Sequence, residues 1–426
     1  MNELRNILNN SQIKYKLDVS KNYLLEKYQF ILGALIIIFY ILIVSSLQHN
    51  VLGDPVFKDP LLKYKIIAEG LSDPTGLVFV DNGILIIEKE GKIRLWSDQQ
   101  LAENPIHEFD VNANSERGLL GIEYNGRNIF VYLTEITNGD ILKNRVYKFL
   151  WNGNELTNQK LLIDLPALPG PNHNGGKLVL EKNSTFSNND NLYVIIGDLN
   201  HRGILQNLDS RDKPDNTGII LKINSEDGSA LETNPFSSNS NTAKYFAYGI
   251  RNSFGITIDP LSGTLWQTEN GPSQYDEVNI VKPGFNSGWI QVMGPIAQSE
   301  ITLNDLQMLP NSIYLDPQLS WRDPVALTDI EFINSTKLGD KYYNMLLIGD
   351  YNQGNIYIVP LDRNRENILL DKLNKNLLDK VVDDDEEADS LIFGTGFRGI
   401  SDIETGPDGY LYVLSFKEGK LFMIFK

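Results

Sequence analysis

Cysteine is absent from the 426-residue chain, so disulfides, thiolate metal sites and cysteine nucleophiles are all excluded. Positive charge is also scarce, because 38 Lys and Arg stand against 55 Asp and Glu, a formal net charge of -17. Such a chain repels the phosphate backbone of nucleic acids, and its cations form no stripe that would offset the repulsion. We therefore expect no nucleic-acid partner. Large-scale disorder is excluded as well, since 42% of the residues are hydrophobic.

One long hydrophobic run lacks any charge, at residues 30–47. At a rise of about 1.5 Å per residue it just crosses a hydrocarbon core of roughly 30 Å. We predict a transmembrane helix over residues 29–48, preceded by a cytoplasmic segment, residues 1–28. Cations precede the run and are scarce just after it, so the positive-inside rule places everything beyond it outside the cell or in the periplasm. The alternative is a cleaved signal peptide, with the small residues at 44–46 resembling a cleavage site.

Helical periodicity is almost missing from residue 60 onward, where short β-favouring runs alternate with turns. Six segments share one plan: a Gly or Asn, four or five β-favouring residues, a turn and a second run. This plan is typical of the inner hairpin of a propeller blade. The six hairpins cover residues 81–96, 126–151, 189–223, 262–281, 343–359 and 408–425. The sequence therefore predicts an all-β, six-bladed β-propeller over residues 60–426, preceded by one N-terminal transmembrane helix.

Closure of such a ring requires the two ends of the chain to meet in one blade. The segment YKIIAEGL (64–71) is well placed to supply an outer strand beside the C-terminal hairpin. The acidic run DDDEEAD (383–389) offers calcium ligands, but a run of like charge is usually a solvated loop. We interpret it as a loop.

Candidate functional residues lie on loops between the repeats, because loops at one end of a propeller converge. His173 lies in a Gly- and Asn-rich loop and is one of only four histidines, which makes it a candidate general base. Arg251 and Asn252, between a strand and a glycine, suit a carboxylate or a carbonyl oxygen. Each has a simpler interpretation, namely a surface histidine and a strand-end arginine paired with an acid.

Two further segments suggest a calcium site and a tight turn. The Asn-Gly-Pro turn at 270–272 exposes backbone carbonyls, and Glu269, Asp276 and Glu277 lie close to it in sequence. Oxygen ligands of this kind suit Ca²⁺. The segment ERGLLGIEY (116–124) is a turn entering a buried strand, and packing explains it equally well.

Taken in order, these motifs resemble the glucose/sorbosone dehydrogenase family, six-bladed propellers that include soluble quinoprotein glucose dehydrogenases and aldose sugar dehydrogenases. The resemblance covers about residues 60–426, including DPTGLVF near the start and GPDGYLYVL near the end. It implies an enzyme that oxidises a sugar hydroxyl by hydride transfer to pyrroloquinoline quinone (PQQ), with Ca²⁺ polarising the quinone. It also implies that His173, in an H-x-x-G-x-L loop, is the base, and that Arg251 and Asn252 contact PQQ.

The same resemblance assigns the metal ligands. It implies that the carbonyls of Gly271 and Pro272 hold the Ca²⁺ at the quinone, and that Glu277 is an acid tied to a second calcium. The chain also departs from the family pattern. Glu116 replaces a glutamine that assists the histidine, Asn172 replaces an aspartate, Asn352 a lysine, and Gly399 and Ser401 two arginines, with Arg398 one position away. We predict that Glu116 and Arg398 belong to the cofactor site.

Three functions follow from these residues. The first is a membrane-anchored, PQQ- and Ca²⁺-dependent sugar dehydrogenase with a sugar substrate and a respiratory carrier as electron acceptor. The second is a non-catalytic propeller that binds carbohydrate or protein, motivated by the missing cations, because PQQ carries three carboxylates and an unpaired buried anion is costly. The third is a lactonase-like, calcium-dependent hydrolase, which requires several carboxylates to converge on the ion.

Overall fold

Short strands, most of them paired antiparallel, account for nearly all the regular structure of the described residues. The structure, a computed structural model, describes residues 53–426 except 138, 140, 183–189 and 202–213. The chain divides into two units, Met1–Asp54 and Pro55–Lys426. The first unit lies almost entirely outside the described residues, and nearly all of the described residues belong to the second.

The strands are numbered in chain order. The first ten are β1 (Val56–Phe57), β2 (Lys63–Glu69), β3 (Pro74–Val80), β4 (Gly83–Glu88), β5 (Lys92–Ser97), β6 (Gln100–Leu101), β7 (His107–Glu108), β8 (Leu119–Tyr124), β9 (Asn128–Thr137) and β10 (Ile141–Trp151). The next ten are β11 (Leu156–Pro166), β12 (Leu178–Glu181), β13 (Asn191–Ile196), β14 (Ile219–Asn224), β15 (Tyr245–Tyr248), β16 (Ile256–Ile258), β17 (Leu265–Glu269), β18 (Asp276–Val281), β19 (Phe285–Asn286) and β20 (Ile313–Tyr314). The last nine are β21 (Leu319–Trp321), β22 (Leu327–Phe332), β23 (Leu346–Asp350), β24 (Ile356–Val359), β25 (Val381–Val382), β26 (Ile392–Thr395), β27 (Ile400–Thr405), β28 (Leu411–Ser415) and β29 (Lys420–Phe425).

Within the described residues these strands form six sheets. Sheet I has the order β3-β4-β5-β6, with β7 also paired to β5, and sheet II has the order β8-β9-β10-β11. Sheet III is β12-β13-β14-β15-β19-β20 and sheet IV is β16-β17-β18-β21-β25. Sheet V is β22-β23-β24-β26-β1 and sheet VI is β27-β28-β29-β2.

The sheets are arranged in a closed ring. The first strand of each sheet contacts the first strand of the next, in the order β3, β8, β12, β16, β22 and β27, and β27 returns to β3. Buried side chains of neighbouring sheets pack between them, as Leu85 and Ile87 of β4 do with Val131 and Leu133 of β9. Burial on both faces explains why the inner strands read as continuous hydrophobic runs. The all-β propeller arrangement predicted from the sequence is confirmed.

The hairpins expected from the repeats are present at all six positions. They are β4–β5, β9–β10, β13–β14, β17–β18, β23–β24 and β28–β29. The expected closure is confirmed too, because β2 pairs antiparallel with β29, with Lys63 opposite Phe425 and Glu69 opposite Lys420. Sheet VI is thus built from both ends of the described chain.

Helical structure in the described part of the chain is confined to short segments on the later connections. Five are 3₁₀ turns, η1 (Ile296–Gln298), η2 (Leu303–Asp305), η3 (Asp340–Tyr342), η4 (Leu370–Lys372) and η5 (Lys375–Asp379), and one is an α-helix, α1 (Asp385–Leu391). The acidic run 383–389 therefore forms a helix start and not the loop we expected. Asp384 caps it by accepting a hydrogen bond from the Glu387 amide, and acidic residues in a first turn are favoured by the helix dipole.

No helix among the described residues is long and apolar enough to cross a membrane. The transmembrane helix predicted over residues 29–48, and the segment 1–28 before it, lie outside the described residues.

Candidate active site

A cavity of about 380 Å³ opens where the innermost strands begin and the second strands end. All six sheets contribute to its wall, because every sheet presents the start of its first strand or the end of its second at this end of the ring. The lining residues are Thr75, Lys89, Ser115, Glu116, Leu120, Gly175, Lys177, Phe254, Asn270, Ala326, Thr328, Tyr351, Ile400, Ser401 and Phe416.

His173 lies on the loop that leads from β11 into β12. Its backbone is in the left-handed region, with φ 61°, and Gly175 follows with the same φ. Gly197, just after β13, lets this loop approach closely, because a Cβ there would lie 2.5 Å from the His173 carbonyl oxygen and 2.6 Å from that of Arg251. A glycine is therefore needed to bring the two segments together.

The imidazole of His173 is oriented by Asp198. Nδ1 of His173 lies 2.5 Å from Oδ1 of Asp198, and the two side chains are 12% and 1% exposed. The second carboxylate oxygen accepts a hydrogen bond of 2.8 Å from Nε1 of Trp289. Because Nδ1 is occupied, Nε2 is the ring nitrogen that remains for a ligand, and it makes no hydrogen bond with any described residue.

Asp198 is held in its ionised form. Burial raises the pKa of Asp198, but the hydrogen bond and positive charge of His173 and the Trp289 hydrogen bond outweigh it, so the pKa lies below its ordinary value. A carboxylate that fixes one imidazole nitrogen and stabilises the protonated ring is the arrangement of a general base.

Glu116 connects the histidine loop to the Arg-Asn segment. Its Oε2 accepts hydrogen bonds from the His173 amide at 2.6 Å and from Nδ2 of Asn252 at 3.0 Å. The neighbouring Ser115 hydroxyl donates to Oδ1 of Asn172. The structure thus brings three predicted site residues, Glu116, His173 and Asn252, into direct contact.

Arg251 follows β15 and points across the end of β17. Its amide donates to Oε1 of Glu269 at 2.7 Å, and its Nη1 donates to the Asn270 carbonyl at 2.7 Å. Its guanidinium also lies 5.4 Å from the centre of the Trp289 ring. Burial lowers the pKa of Arg251. The charges of nearby acids, of which Asp198 has the largest effect, oppose this lowering.

Gly271 and Pro272 form the turn directly after Asn270, a residue of the cavity wall. The Gly271 amide donates to Oδ1 of Asp276 at 2.9 Å, and a Cβ at Gly271 would lie 2.0 Å from the Gln274 carbonyl oxygen. This turn is therefore fixed by a buried carboxylate and by the absence of a side chain.

Glu277 lies on β18, away from the cavity wall. It is opposite Glu269 in the register of β17 and β18, and it accepts hydrogen bonds from Nδ2 of Asn279 and the Gly294 amide. Burial, and then the charge of Glu269, raise the pKa of Glu277 to about 8. The structure brings Glu277 next to Glu269 but not to the other candidate residues.

The sequence did not point to two lysines that line the cavity. Lys177 is buried, with Nζ 3.3 Å from Oδ1 of Asp329 and also bonded to Asp402. Lys89 follows β4, and its Nζ donates to the Ala113 carbonyl. Lys177 lies in the histidine loop itself, four residues after His173, so its position in the sequence could have indicated that it belongs to the site. No feature of the sequence indicated this for Lys89. Asp198 and Trp289 were missed as well, because they lie 25 and more than 100 residues from His173.

Arg398 does not join the other candidates. It is not among the lining residues, and its Nε lies 3.0 Å from Oε1 of Glu418. Of the positions that replace the family's cations, Ser401 lines the cavity, and Tyr351 does so beside Asn352. The guanidinium of Arg398 is thus paired with an acid, and its place in the cofactor site stays a prediction.

In the part of the chain that the structure describes, one group of three acids has ligand atoms close enough for a metal ion, Asp383, Asp384 and Glu387. This group lies at the start of α1, outside the cavity wall. The carboxylate cluster that a hydrolase would need is thus not found in the described wall of the cavity.

Comparison with known proteins identifies the family. The glucose/sorbosone dehydrogenase family model matches residues 71–423. The aldose sugar dehydrogenase YliI of Escherichia coli (strain K12) is 28% identical over 372 residues, covering 82% of this chain and 89% of that protein.

Solved structures share the fold. The soluble aldose sugar dehydrogenase of Escherichia coli in its apo form superposes with a TM-score of 0.65 at 24% identity, over 85% of this chain and 99% of that one. The PQQ-bound aldose sugar dehydrogenase of Streptomyces coelicolor gives 0.60 at 20% identity, over 87% and 99%. These likenesses show that the chain shares their propeller fold. The chain belongs to the glucose/sorbosone dehydrogenase family.

The predicted localisation is corrected by these findings. The sequence predicts a single-pass membrane protein with the propeller outside, but the described residues hold no membrane-spanning helix, and the solved Escherichia coli relative is a soluble enzyme. The physical reason is that an uncharged run near the lower length limit for a membrane span shows only that the segment prefers apolar surroundings. Such a run does not by itself establish that these surroundings are a lipid bilayer.

Proposed function

We propose that the chain is a PQQ- and Ca²⁺-dependent sugar dehydrogenase whose six sheets are the blades of a six-bladed propeller. The observation that carries this proposal is the His173–Asp198 pair beside a cavity of about 380 Å³. Membership of the family and the activity named for the Escherichia coli relative support an aldose sugar as the substrate class.

Unsatisfied polar atoms around the cavity support a bound cofactor. Nε of Arg251, Oδ1 of Asn252 and Oδ1 of Asn270 are buried and have no hydrogen-bond partner among the described residues. Buried polar groups are normally paired, so a ligand with both donors and acceptors would satisfy them. PQQ has carboxylates, quinone oxygens and ring nitrogens, and Arg251 and Asn252 would hold it. Glu116 would act by orienting Asn252 and the histidine loop.

The turn at Gly271 and Pro272 supports a calcium site next to that cofactor. Its carbonyls are hard oxygen ligands of the kind Ca²⁺ prefers, and the turn adjoins Asn270 of the cavity wall. We assign Glu277 to a separate, second calcium, because a buried pair of carboxylates gains most from a cation.

The residues of the chain then have distinct roles in oxidation of a sugar. Nε2 of His173 removes the proton from the sugar hydroxyl, and Asp198 stabilises the imidazolium that forms. PQQ held by Arg251 and Asn252 would supply the acceptor for the hydride on the carbon that bears this hydroxyl, and its electrons would go to an external acceptor, which we propose is a respiratory carrier. The apolar side chains Leu120, Phe254 and Phe416 limit access of water to the cavity.

Reconstitution tests this function directly. Purified protein is mixed with PQQ and Ca²⁺, and dye reduction is followed with a panel of aldoses. We expect PQQ-dependent dye reduction that is lost when Ca²⁺ is removed with a chelator. If no PQQ binds at micromolar concentration and no aldose reduces the dye, the dehydrogenase function is wrong and a binding role for the propeller takes its place.

A further inference from the structure

The cofactor proposed above carries more negative charge than the expected residues can neutralise. PQQ has three carboxylates, while the positions of the family's lysine and paired arginines hold Asn352, Gly399 and Ser401. Arg251 and one Ca²⁺ account for two of the three anions. A carboxylate buried without a cation is strongly unfavourable, so the cavity requires another positive group.

Lys89 is a lysine of the cavity wall that is fixed in place. Its amide donates to the Asp73 carbonyl at 3.0 Å, and its own carbonyl accepts from the Leu119 amide at 3.0 Å. Its Cγ lies over Gly118, where a Cβ would come within 2.8 Å of it. The side chain therefore runs along the Gly118 backbone, and Nζ reaches the Ala113 carbonyl on the wall that also holds Glu116.

Lys89 also differs from the other cations near the cavity in what it is bonded to. Lys177 is paired with Asp329 and Asp402, and Arg398 is paired with Glu418. Lys89 makes no ion pair with any acid in the described ranges. Burial lowers the pKa of Lys89, the charges of Asp73, Glu90 and Glu116 oppose this lowering, and an anion beside Nζ would oppose it further.

We propose that Nζ of Lys89 binds a carboxylate of the quinone cofactor and so replaces a cation lost from the family's usual positions. This inference rests on the proposed function. Lys89 follows β4 and Arg251 follows β15, so the two carboxylate partners belong to sheets I and III. The bond is an ion pair and involves no transfer of electrons or protons.

The test is the dissociation constant of PQQ, measured by equilibrium dialysis on the full chain with Ca²⁺ present, for the parent and for Lys89→Gln, Lys89→Arg and Lys92→Gln. We expect Lys89→Gln to weaken binding roughly 30-fold or more, and Lys89→Arg to stay within about 5-fold because it keeps the charge. Lys92 lies on the same hairpin outside the cavity wall, so Lys92→Gln should leave binding unchanged.

A second probe separates charge from folding. The trimethyl ester of PQQ has no carboxylate anions, so the parent and Lys89→Gln should bind it equally. If Lys89→Gln binds PQQ as tightly as the parent does, or weakens PQQ and its ester to the same extent, the role of Lys89 is refuted while the dehydrogenase stands. If the parent itself binds no PQQ, the proposed function fails and Lys89 with it.

Discussion

Among single residues, Asp198 has the largest influence on His173, because it fixes the orientation of the imidazole. One carboxylate oxygen of Asp198 lies 2.5 Å from Nδ1 of His173, the other accepts a hydrogen bond from Nε1 of Trp289, and the side chain is almost fully buried. The imidazole therefore has one orientation and one tautomer. A histidine left free to rotate would lose this pre-organisation, and catalytic proton transfer depends on it.

Replacing Asp198 with Asn tests that role. The amide keeps the shape but cannot stabilise the imidazolium, so we expect kcat for aldose oxidation to fall about 100-fold or more while PQQ affinity changes little. Stopped-flow kinetics with reconstituted protein provides the measurement. A kcat close to that of the parent would show that the 2.5 Å contact has no catalytic role.

Some residues of the candidate site carry a recognisable signal in the sequence, and others do not. His173, Arg251 and the turn at Gly271 could be predicted, because each combines a chemically distinctive side chain or carbonyl with nearby glycines on a loop. Asp198 could not, since it comes 25 residues after the histidine and only the return of β13 to the same end of the ring brings them together.

At the scale of secondary structure elements, the inner strands carry an unusual set of acids. Glu123 of β8, Asp329 and Glu331 of β22, and Asp402 and Glu404 of β27 face an internal cavity of about 100 Å³ beside Lys177. Burial, and then the charge of Asp329, raise the pKa of Glu331 from its ordinary 4.5 to about 8. The strands are thus held together despite a concentration of like charge.

The stability of the fold should therefore depend on pH through Glu331. Between pH 4.5 and about 8 the folded chain keeps a proton that the unfolded chain has lost, so stability falls as the pH rises through this range. Glu331→Gln removes this titration, so we expect its Tm at pH 8 to exceed that of the parent. The difference should correspond to roughly 1 kcal/mol or more in the free energy of unfolding, with little gain at pH 5.

Calorimetry at the two pH values measures this effect. Glu108→Gln, which removes an exposed acid from β7, is the matched control and should change Tm little at either pH. An equal Tm for the parent and Glu331→Gln at pH 8 would show that the buried charge of Glu331 does not oppose folding.

At the scale of the whole molecule, closure of the ring depends on the start of the described chain. β2 is the outer strand of sheet VI, and Leu62 and Ala68 are buried beside β29. Without β2, the edge of β29 would expose unpaired backbone groups. The six hairpins and this closing strand were predictable, because a repeated pattern of hydrophobic runs and turns specifies blades locally.

A pair of fragments tests the closure. A fragment of residues 53–426 keeps β1 and β2, whereas one of residues 72–426 lacks both. We expect the shorter fragment to unfold at a clearly lower temperature, because it loses at least about 3 kcal/mol of apolar burial together with the pairing of β29. Identical unfolding temperatures in calorimetry would show that β2 does not close the ring.

What the pattern could not specify at this scale is the localisation. The run at 30–47 has the length and the apolarity of a membrane helix, and besides these the prediction used only the cations that precede the run. The comparisons contradict that prediction, while the ring itself does not depend on it.

The role of His173 in sugar oxidation is tested by the absorbance spectrum of PQQ bound to the protein, recorded without oxygen as an aldose is added. The parent should reduce its bound PQQ in a single turnover. His173→Ala should bind PQQ but reduce it at least about 100-fold more slowly, because the base is missing. Reduction by His173→Ala at the rate of the parent would contradict the role of His173 as the base. Failure of the parent to reduce bound PQQ with any aldose would contradict the sugar dehydrogenase function.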